Sequence, residues 1–289
     1  MVSPGYIPFH PNPSKPEFTL PKGSVDSHCH VFGPGDVFPY AATSSYVPVD
    51  APKELLFDRH KHLGIDRAVI VQASCHGTDN RAMIDALKTA GDTYRGIAIV
   101  NSEITEAELN QMDEVGVRGV RFNFVKRLKA RQPIEARMNI LEKIKQLPWH
   151  LVVYFEPADL PEIKDFLMQV PVPVVIDHMG CIPSDKGVSS KEFEELAELL
   201  RDDRFWIKVS CPERFSKQGA PYHDMDEVAS ELIRLIPDRV LWGTDWPHPN
   251  MKREAPDDGI LVDRIARICP DEQQQKALLI ENPTRLYWG

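Results

Sequence analysis

From residue 24 onward, short runs of β-branched and aromatic residues alternate with longer stretches in which apolar residues recur at helical spacing. The runs are SVDSH (24–28), RAVIVQA (67–73), RGIAIV (95–100), VRGVRF (117–122), HLVVYF (150–155), VPVVID (172–177), FWIKVS (205–210) and RVLWG (239–243). The helical patterns that follow them are PKELLFDRHKHLG, DNRAMIDALKTAG, TEAELNQMDEVG, IEARMNILEKIKQL, LPEIKDFLMQV, SKEFEELAELLRD, MDEVASELIRLIP and DDGILVDRIARIC. Strict strand–helix alternation is the signature of a parallel α/β fold. Eight such units in one run predict a single (β/α)8 barrel rather than an open sheet. The first helix is separated from its strand by a long loop, residues 31–51, whose Gly33-Pro34-Gly35 and Pro39 predict a mobile lid carrying Tyr46 over the site. Two further turns, DEQQQKALLIEN and PTRLYW, close the chain. Residues 1–23 contain six prolines and no apolar period, and are read as an extended N-terminal arm laid over the catalytic barrel of residues 24–289.

The totals leave this picture in place and narrow the partners. The chain has 289 residues, 42% hydrophobic and 27% charged, within the ordinary range for one globular barrel. No apolar run approaches the ~18–20 residues of a membrane-spanning helix, and the N-terminus lacks the pattern of a signal peptide. The five cysteines are irregularly spaced and form no CxxC, which predicts free thiols in a reducing cytoplasm. A net charge of -9 without a basic tract argues against nucleic acid and anionic membranes as partners. An anionic small molecule would need a local cluster of cations, so the placement of arginines is informative.

In a barrel of this type the active site stands at the C-terminal ends of the strands. Those ends read His28-Cys29-His30, Ser74-Cys75-His76, Arg121-Phe122-Asn123 with Arg127 just beyond, Tyr154 and Glu156, Asp177-His178, Cys211-Pro212-Glu213-Arg214, and Asp245 with His248. His28 and His30 lie two apart on a strand and so share a face, though an isolated His-x-His can equally be structural. Asp245 can be read as a cap on the following turn, and Arg127, near Lys126 and Lys129, as a surface charge. Arg121 lies inside a strand pattern, where a solvated face is a poorer explanation. Ser74 and Tyr154 are weak signals taken singly. Cys29, Cys75 and Cys211 have no obvious base beside them and are read as small packing residues. Glu156 is either a supporting group or an arginine partner.

The Asp26-Ser27-His28-Cys29-His30 string, His178 after strand six and Asp245 after strand eight resemble the amidohydrolase superfamily. The longer strings HCHVFGP, VIVQASCHGTDN, RGVRFNFVKRL, VVYFE, VVIDHMG and WGTDWPHPNM are similar to the 2-pyrone-4,6-dicarboxylate lactonases (hydrolases). The resemblance runs from about residue 14 to the end. It implies opening of a small dianionic lactone to 4-oxalomesaconate or its 4-carboxy-2-hydroxymuconate form, in the catabolism of lignin-derived aromatic compounds. It further implies Asp245 as the base that activates water, and His28, His30 and His178 around the lactone carbonyl. Arg121, Arg127 and Arg214 would hold the carboxylates, with Tyr46, Ser74, His76, Tyr154 and His248 completing the pocket. The residue types suit that chemistry. Guanidinium matches carboxylate geometry, and ester hydrolysis needs a base for water and donors for the oxyanion.

By type, His28, His30, His178 and Asp245 are also a plausible zinc set. Two positions depart from the metal-dependent pattern of the superfamily. Strand four presents Arg121 where binuclear members often have a bridging carboxylated lysine or glutamate, and strand five presents Tyr154 where metal-binding members have a histidine. The resemblance implies catalysis without metal, so no cofactor is expected, with one zinc or other divalent ion on those four residues as the alternative. The competing activities are a sulfomuconolactone hydrolase, a metal-dependent decarboxylase of the same superfamily, and a barrel that only binds an organic anion.

Overall fold

The computed structural model describes residues 1–125 and 132–289. Eight parallel strands follow one another in a single sheet ordered β1 to β8. They are β1 (Val25–Cys29), β2 (Arg67–Val71), β3 (Tyr94–Ala98), β4 (Val117–Asn123), β5 (His150–Tyr154), β6 (Val174–Ile176), β7 (Phe205–Val209) and β8 (Val240–Trp242). The helices are α1 (Lys53–Leu63), α2 (Arg81–Ala90), α3 (Glu106–Glu114), α4 (Ile134–Ile144), α5 (Leu160–Met168), α6 (Lys191–Leu200), the short α7 (Pro212–Phe215), α8 (Asp226–Leu235), α9 (Asp258–Ile268), α10 (Glu272–Lys276) and α11 (Asn282–Tyr287). Every strand and helix expected from the patterning is present, with ends shifted by a few residues for local reasons. The run at 67–73 stops pairing at Val71 because Ser74–His76 already turns. β6 is three residues long because Pro171 and Pro173 carry no N–H to donate to a ladder.

Local signals explain where the helices begin and which face they bury. Thr105 and Glu108 form a reciprocal capping box at the start of α3, and Ser190 caps α6 through Phe193 N. α6 buries Phe193, Leu196, Leu199 and Leu200, and α8 buries Val228, Ala229, Leu232 and Ile233, in each case one apolar stripe laid on the sheet. Inside the barrel, Val25, Val69, Val71, Ile97, Val152, Val175, Trp206 and Leu241 form an apolar layer onto which Tyr287 of α11 packs. Two residues further along their strands the period-two alternation presents Tyr154 after Val152, Asp177 after Val175 and Lys208 after Trp206. The interior therefore turns from apolar to ionic toward the C-terminal ends of the strands.

The barrel closes where β1 meets β8. Just beyond the paired residues, Asp245 N donates to His28 O and His30 N to Trp246 O, both at 2.7 Å. A Cβ at Gly243 would lie 2.7 Å from His28 N, so only glycine permits this approach. Asp26 staples the same seam. Its Oδ1 accepts from His28 N and Thr244 N, and its Oδ2 accepts from Thr244 Oγ1 at 2.6 Å.

Residues 1–23 contain neither helix nor strand and run over the barrel. Ser3 exchanges hydrogen bonds with Val47, Phe9 packs 5.2 Å from Trp246, and Phe18 N donates to Asp263 of α9. The long 31–51 segment crosses the mouth of the barrel, pinned at its base by mutual Phe32–Ala51 backbone hydrogen bonds of 2.8 Å. Among the described residues no helix is long and apolar enough to cross a membrane.

Candidate active site

The sharp turns after β6, β7 and β8 bring their side chains over the barrel. His178 (φ 53), Cys211 (φ 58) and Asp245 (φ 64) all take left-handed backbone conformations. Such conformations are unfavourable for non-glycine residues and cluster where function demands a particular side-chain direction. Asp245 is the hub of what results. Its Oδ1 lies 3.1 Å from His30 Nε2, 3.4 Å from His28 Nε2 and 3.9 Å from His178 Nε2. Its Oδ2 accepts from Arg214 Nη2 at 2.7 Å. Arg214 also donates to Pro249 O at 2.7 Å, which fixes the guanidinium across the chamber.

The partners of the histidines restrict what each ring presents. His30 Nδ1 meets the carbonyl of Val71 at 2.7 Å and its Nε2 meets the Asp245 carboxylate. Both ring nitrogens of His30 thus face acceptors, which fixes the orientation of the ring. His178 Nδ1 lies 2.8 Å from Ser210 Oγ and 3.0 Å from Cys211 Sγ. Cys211 thus departs from the expectation of a mere packing residue. Burial and the Asp245 carboxylate push its thiol well up, so it remains S–H beside the imidazole.

Beneath this layer lies a second, fully buried ionic group. Asp177 Oδ2 takes Arg121 through Nε at 3.0 Å and Nη2 at 2.9 Å. Asp177 Oδ1 lies 3.2 Å from Lys208 Nζ and 3.1 Å from His28 Nδ1. Burial alone would raise both carboxyls. The Arg214 guanidinium and the His178 and His30 rings instead hold Asp245 well below the usual carboxylate range. Lys208 and Arg121 do the same for Asp177. Burial lowers His178 to about 4, so it is neutral at pH 7.

Most of the residues expected from sequence converge here. His30, His178, Asp245, Arg121, Arg214, Tyr46, Ser74 and Tyr154 line one inner chamber, with Asn123 and Asn250. His28 lies just beneath it, with Nε2 3.4 Å from Asp245 Oδ1. The chamber opens into an outer cleft of about 920 Å³ whose wall includes Ser3–Tyr6 of the arm, Glu156 and Lys217. Tyr46, brought in by the 31–51 segment, hydrogen-bonds the Ser74 side chain and stacks on Tyr6 with centroids 6.1 Å apart.

Two expected pocket residues stand elsewhere. His76 spends both ring nitrogens on the 31–51 segment, Nε2 accepting from Gly33 N at 3.1 Å and Nδ1 facing Pro39 O at 3.3 Å. It anchors the loop rather than lining the chamber. His248 is wholly buried between Asp258 (Nε2–Oδ1 2.8 Å) and Glu213 (Nδ1–Oε1 3.5 Å). Burial would lower this ring, but the two carboxylates raise it to about 10. It ties the turn after β8 to α9 and α7. Arg127 lies outside the described residues. Asp177 and Lys208, which organise the floor, carry no role in the sequence reading. The one signal for Lys208 is a lysine inside the otherwise apolar run FWIKV.

Comparison with known proteins agrees with this geometry. A family model described as amidohydrolase matches residues 25–288. A 2-pyrone-4,6-dicarboxylate hydrolase of Comamonas testosteroni is 51% identical, over 99% of this chain and 97% of that protein. A 4-sulfomuconolactone hydrolase of Rhizobium radiobacter is 37% identical, over 93% and 91%. A Pseudomonas putida crystal structure, assigned by name only to 2-pyrone-4,6-dicarboxylic acid hydrolysis, superposes with a TM-score of 0.80 at 30% identity, covering 93% of this chain and 98% of that one. The matched family model, the relatives and the Asp245-centred site at the strand ends together place this chain in the amidohydrolase family.

Proposed function

We propose that this barrel hydrolyses the lactone 2-pyrone-4,6-dicarboxylate to its open-chain tricarboxylate. The observation that carries the reading is the meeting of two arginines, Arg121 and Arg214, with the Asp245–histidine cluster in one chamber of a protein whose net charge is -9. The 51% identity to the Comamonas enzyme over nearly the whole chain supports the choice of substrate.

Asp245 accepts a proton from water as the water oxygen attacks the lactone carbonyl carbon. The histidine N–H groups facing the chamber hold the oxyanion as it forms. The ring C–O bond then breaks, and the leaving enolate takes up the proton held by Asp245, which restores the carboxylate. The free space inside the chamber is about 30 Å³, room for about one water molecule. A ring therefore needs a side chain of the wall to give way, and Arg214, which spans from Asp245 to Pro249, is the group a substrate carboxylate can draw aside. A substrate carboxylate competes for that guanidinium, and its release returns basicity to Asp245 as the substrate arrives. Tyr46, Ser74 and Tyr154 add hydrogen bonds from the wall.

His28, His178 and Asp245 offer donor atoms within 4.8 Å of one another, the residue types that hold zinc elsewhere. The surrounding charge argues against it. Asp245 already pairs with Arg214, and Asp177 beneath it pairs with Arg121 and Lys208. Each of these two carboxylates is already matched by a cation at hydrogen-bonding distance, and a dication would have to displace Arg214 to reach Asp245. This pairing supports hydrolysis without a metal. The five cysteines are all free and buried, which supports a cytoplasmic location.

The test is the rate of ring opening of 2-pyrone-4,6-dicarboxylate by chelator-treated, metal-analysed protein, followed as loss of the pyrone absorbance. Rapid turnover at negligible metal content is expected. Activity that returns only with added zinc would assign the histidines to a metal and overturn the metal-free reading. Inactivity in both states, with 4-sulfomuconolactone opened instead, would overturn the substrate.

A further inference from the structure

Lys208 sits at the centre of the barrel, fully buried, with Nζ 3.2 Å from Asp177 Oδ1 and 3.1 Å from His28 Nδ1. It touches neither the chamber lining nor solvent. Burial lowers its pKa, but the Asp177 carboxylate opposes this and keeps it an ammonium group that presents only hydrogens. An imidazole nitrogen at 3.1 Å must then offer a lone pair. Asp177 Oδ1 lies as near to the same nitrogen, and it also faces the ammonium at 3.2 Å. A neutral ring that accepts at Nδ1 carries its proton on Nε2. That atom is buried, has no hydrogen-bond partner among the described residues, and lies 3.4 Å from Asp245 Oδ1 on the side of the reacting cluster.

We propose that Lys208 is a positioning residue that fixes His28 as the neutral Nε2–H tautomer, so that the ring faces the reacting carbonyl as a hydrogen-bond donor and not as a base. The inference rests on the hydrolytic reading for the donor's purpose, but not for the tautomer. The other tautomer, with Nδ1–H on Asp177, would set a proton against the ammonium and turn the Nε2 lone pair toward the Asp245 carboxylate. Both contacts are repulsive. Asp177 thus serves two ends. It keeps Lys208 charged, and it anchors Arg121 on its other oxygen. A buried N–H without a protein partner is a poor ground-state arrangement. It is the right one where negative charge develops only during reaction, since a donor already aimed at that charge need not reorganise.

The decisive measurement is the nitrogen-15 NMR spectrum of the free, ring-labelled protein, with the His28 signals identified by their loss in His28→Gln. A neutral ring with the proton on Nε2 is expected, and a ring protonated on Nδ1 would overturn the proposal. This readout needs no substrate and no variant at Lys208. It therefore stands apart from the outcome of the lactone assay and from any folding defect of Lys208→Met. Where that variant folds, its His28 ring should shift toward the Nδ1–H form. kcat should then fall on the order of 100-fold, the effect of removing one oxyanion donor, with KM changing far less because Arg121 keeps its place on Asp177. A Lys208→Met protein with the Nε2–H form and wild-type kcat would overturn the role.

Discussion

Asp245→Asn separates chemistry from binding in a way the geometry makes quantitative. The side chain is buried, with one oxygen 3.1 Å from His30 Nε2 and the other 2.7 Å from Arg214 Nη2. Asparagine has the same shape. Its carbonyl can still accept from Arg214 and its NH₂ can face His30, so packing is unchanged, while the group can no longer take a proton from water. Loss of a general base costs roughly 100- to 10,000-fold in kcat, or about 3–5 kcal/mol of barrier. The substitution also removes the negative charge that holds Arg214 across the chamber, which leaves the guanidinium freer to meet a substrate carboxylate. Affinity should therefore be unchanged or tighter even as turnover collapses. Stability should fall by about 1.5–3 kcal/mol, the range for one charge-assisted hydrogen bond, partly offset by the Arg214–Pro249 contact that remains. Single-turnover ring opening gives the rate, calorimetric titration of the slow variant gives Kd, and urea denaturation gives stability. A kcat within tenfold of wild type would refute Asp245 as the base. A Kd weakened by two orders of magnitude would refute the exchange of Arg214 between Asp245 and substrate.

Two further outcomes follow from the charges around the site. Arg121→Met should lower kcat/KM about 10- to 150-fold, the equivalent of roughly 1.5–3 kcal/mol for a hydrogen bond to a charged group; an unchanged kcat/KM would place Arg121 outside the substrate's reach. His248 is raised from 6.5 to about 10 by Asp258 and Glu213. Its contribution to stability is therefore fully present below about pH 6.5 and is lost as the pH rises through about 10. Denaturation curves of the wild type should weaken across that window by a few kcal/mol, and His248→Gln should lack that slope; parallel pH profiles for the two proteins would show that the buried ring is not charged.

The barrel was legible in the sequence because its signals are local. Eight β-branched runs, each followed by a stretch of helical period, demand one parallel sheet with helices outside. Caps such as Thr105 with Glu108 mark where the helices start without reference to the rest of the chain. The site was legible to the same depth. A rule that places chemistry at the C-terminal strand ends needs only the strand register to nominate His28, His30, Arg121, Tyr154, His178 and Asp245. What the sequence could not decide was direction and partnership. His76 and His248 stand at strand ends like the others, yet one turns to the backbone of Gly33 and Pro39 and the other to Asp258 and Glu213. Those contacts are made by segments 10 to 43 residues away in the chain, and no local pattern encodes them. Lys208 is the clearest case. In the run FWIKV it looks like a misplaced charge, and it gains its meaning only because β1 and β6 deliver His28 and Asp177 to the same point inside the barrel. A buried charge is tolerable only beside its counter-charge, and which counter-charge stands there is settled by the closure of the sheet and not by neighbours in the chain.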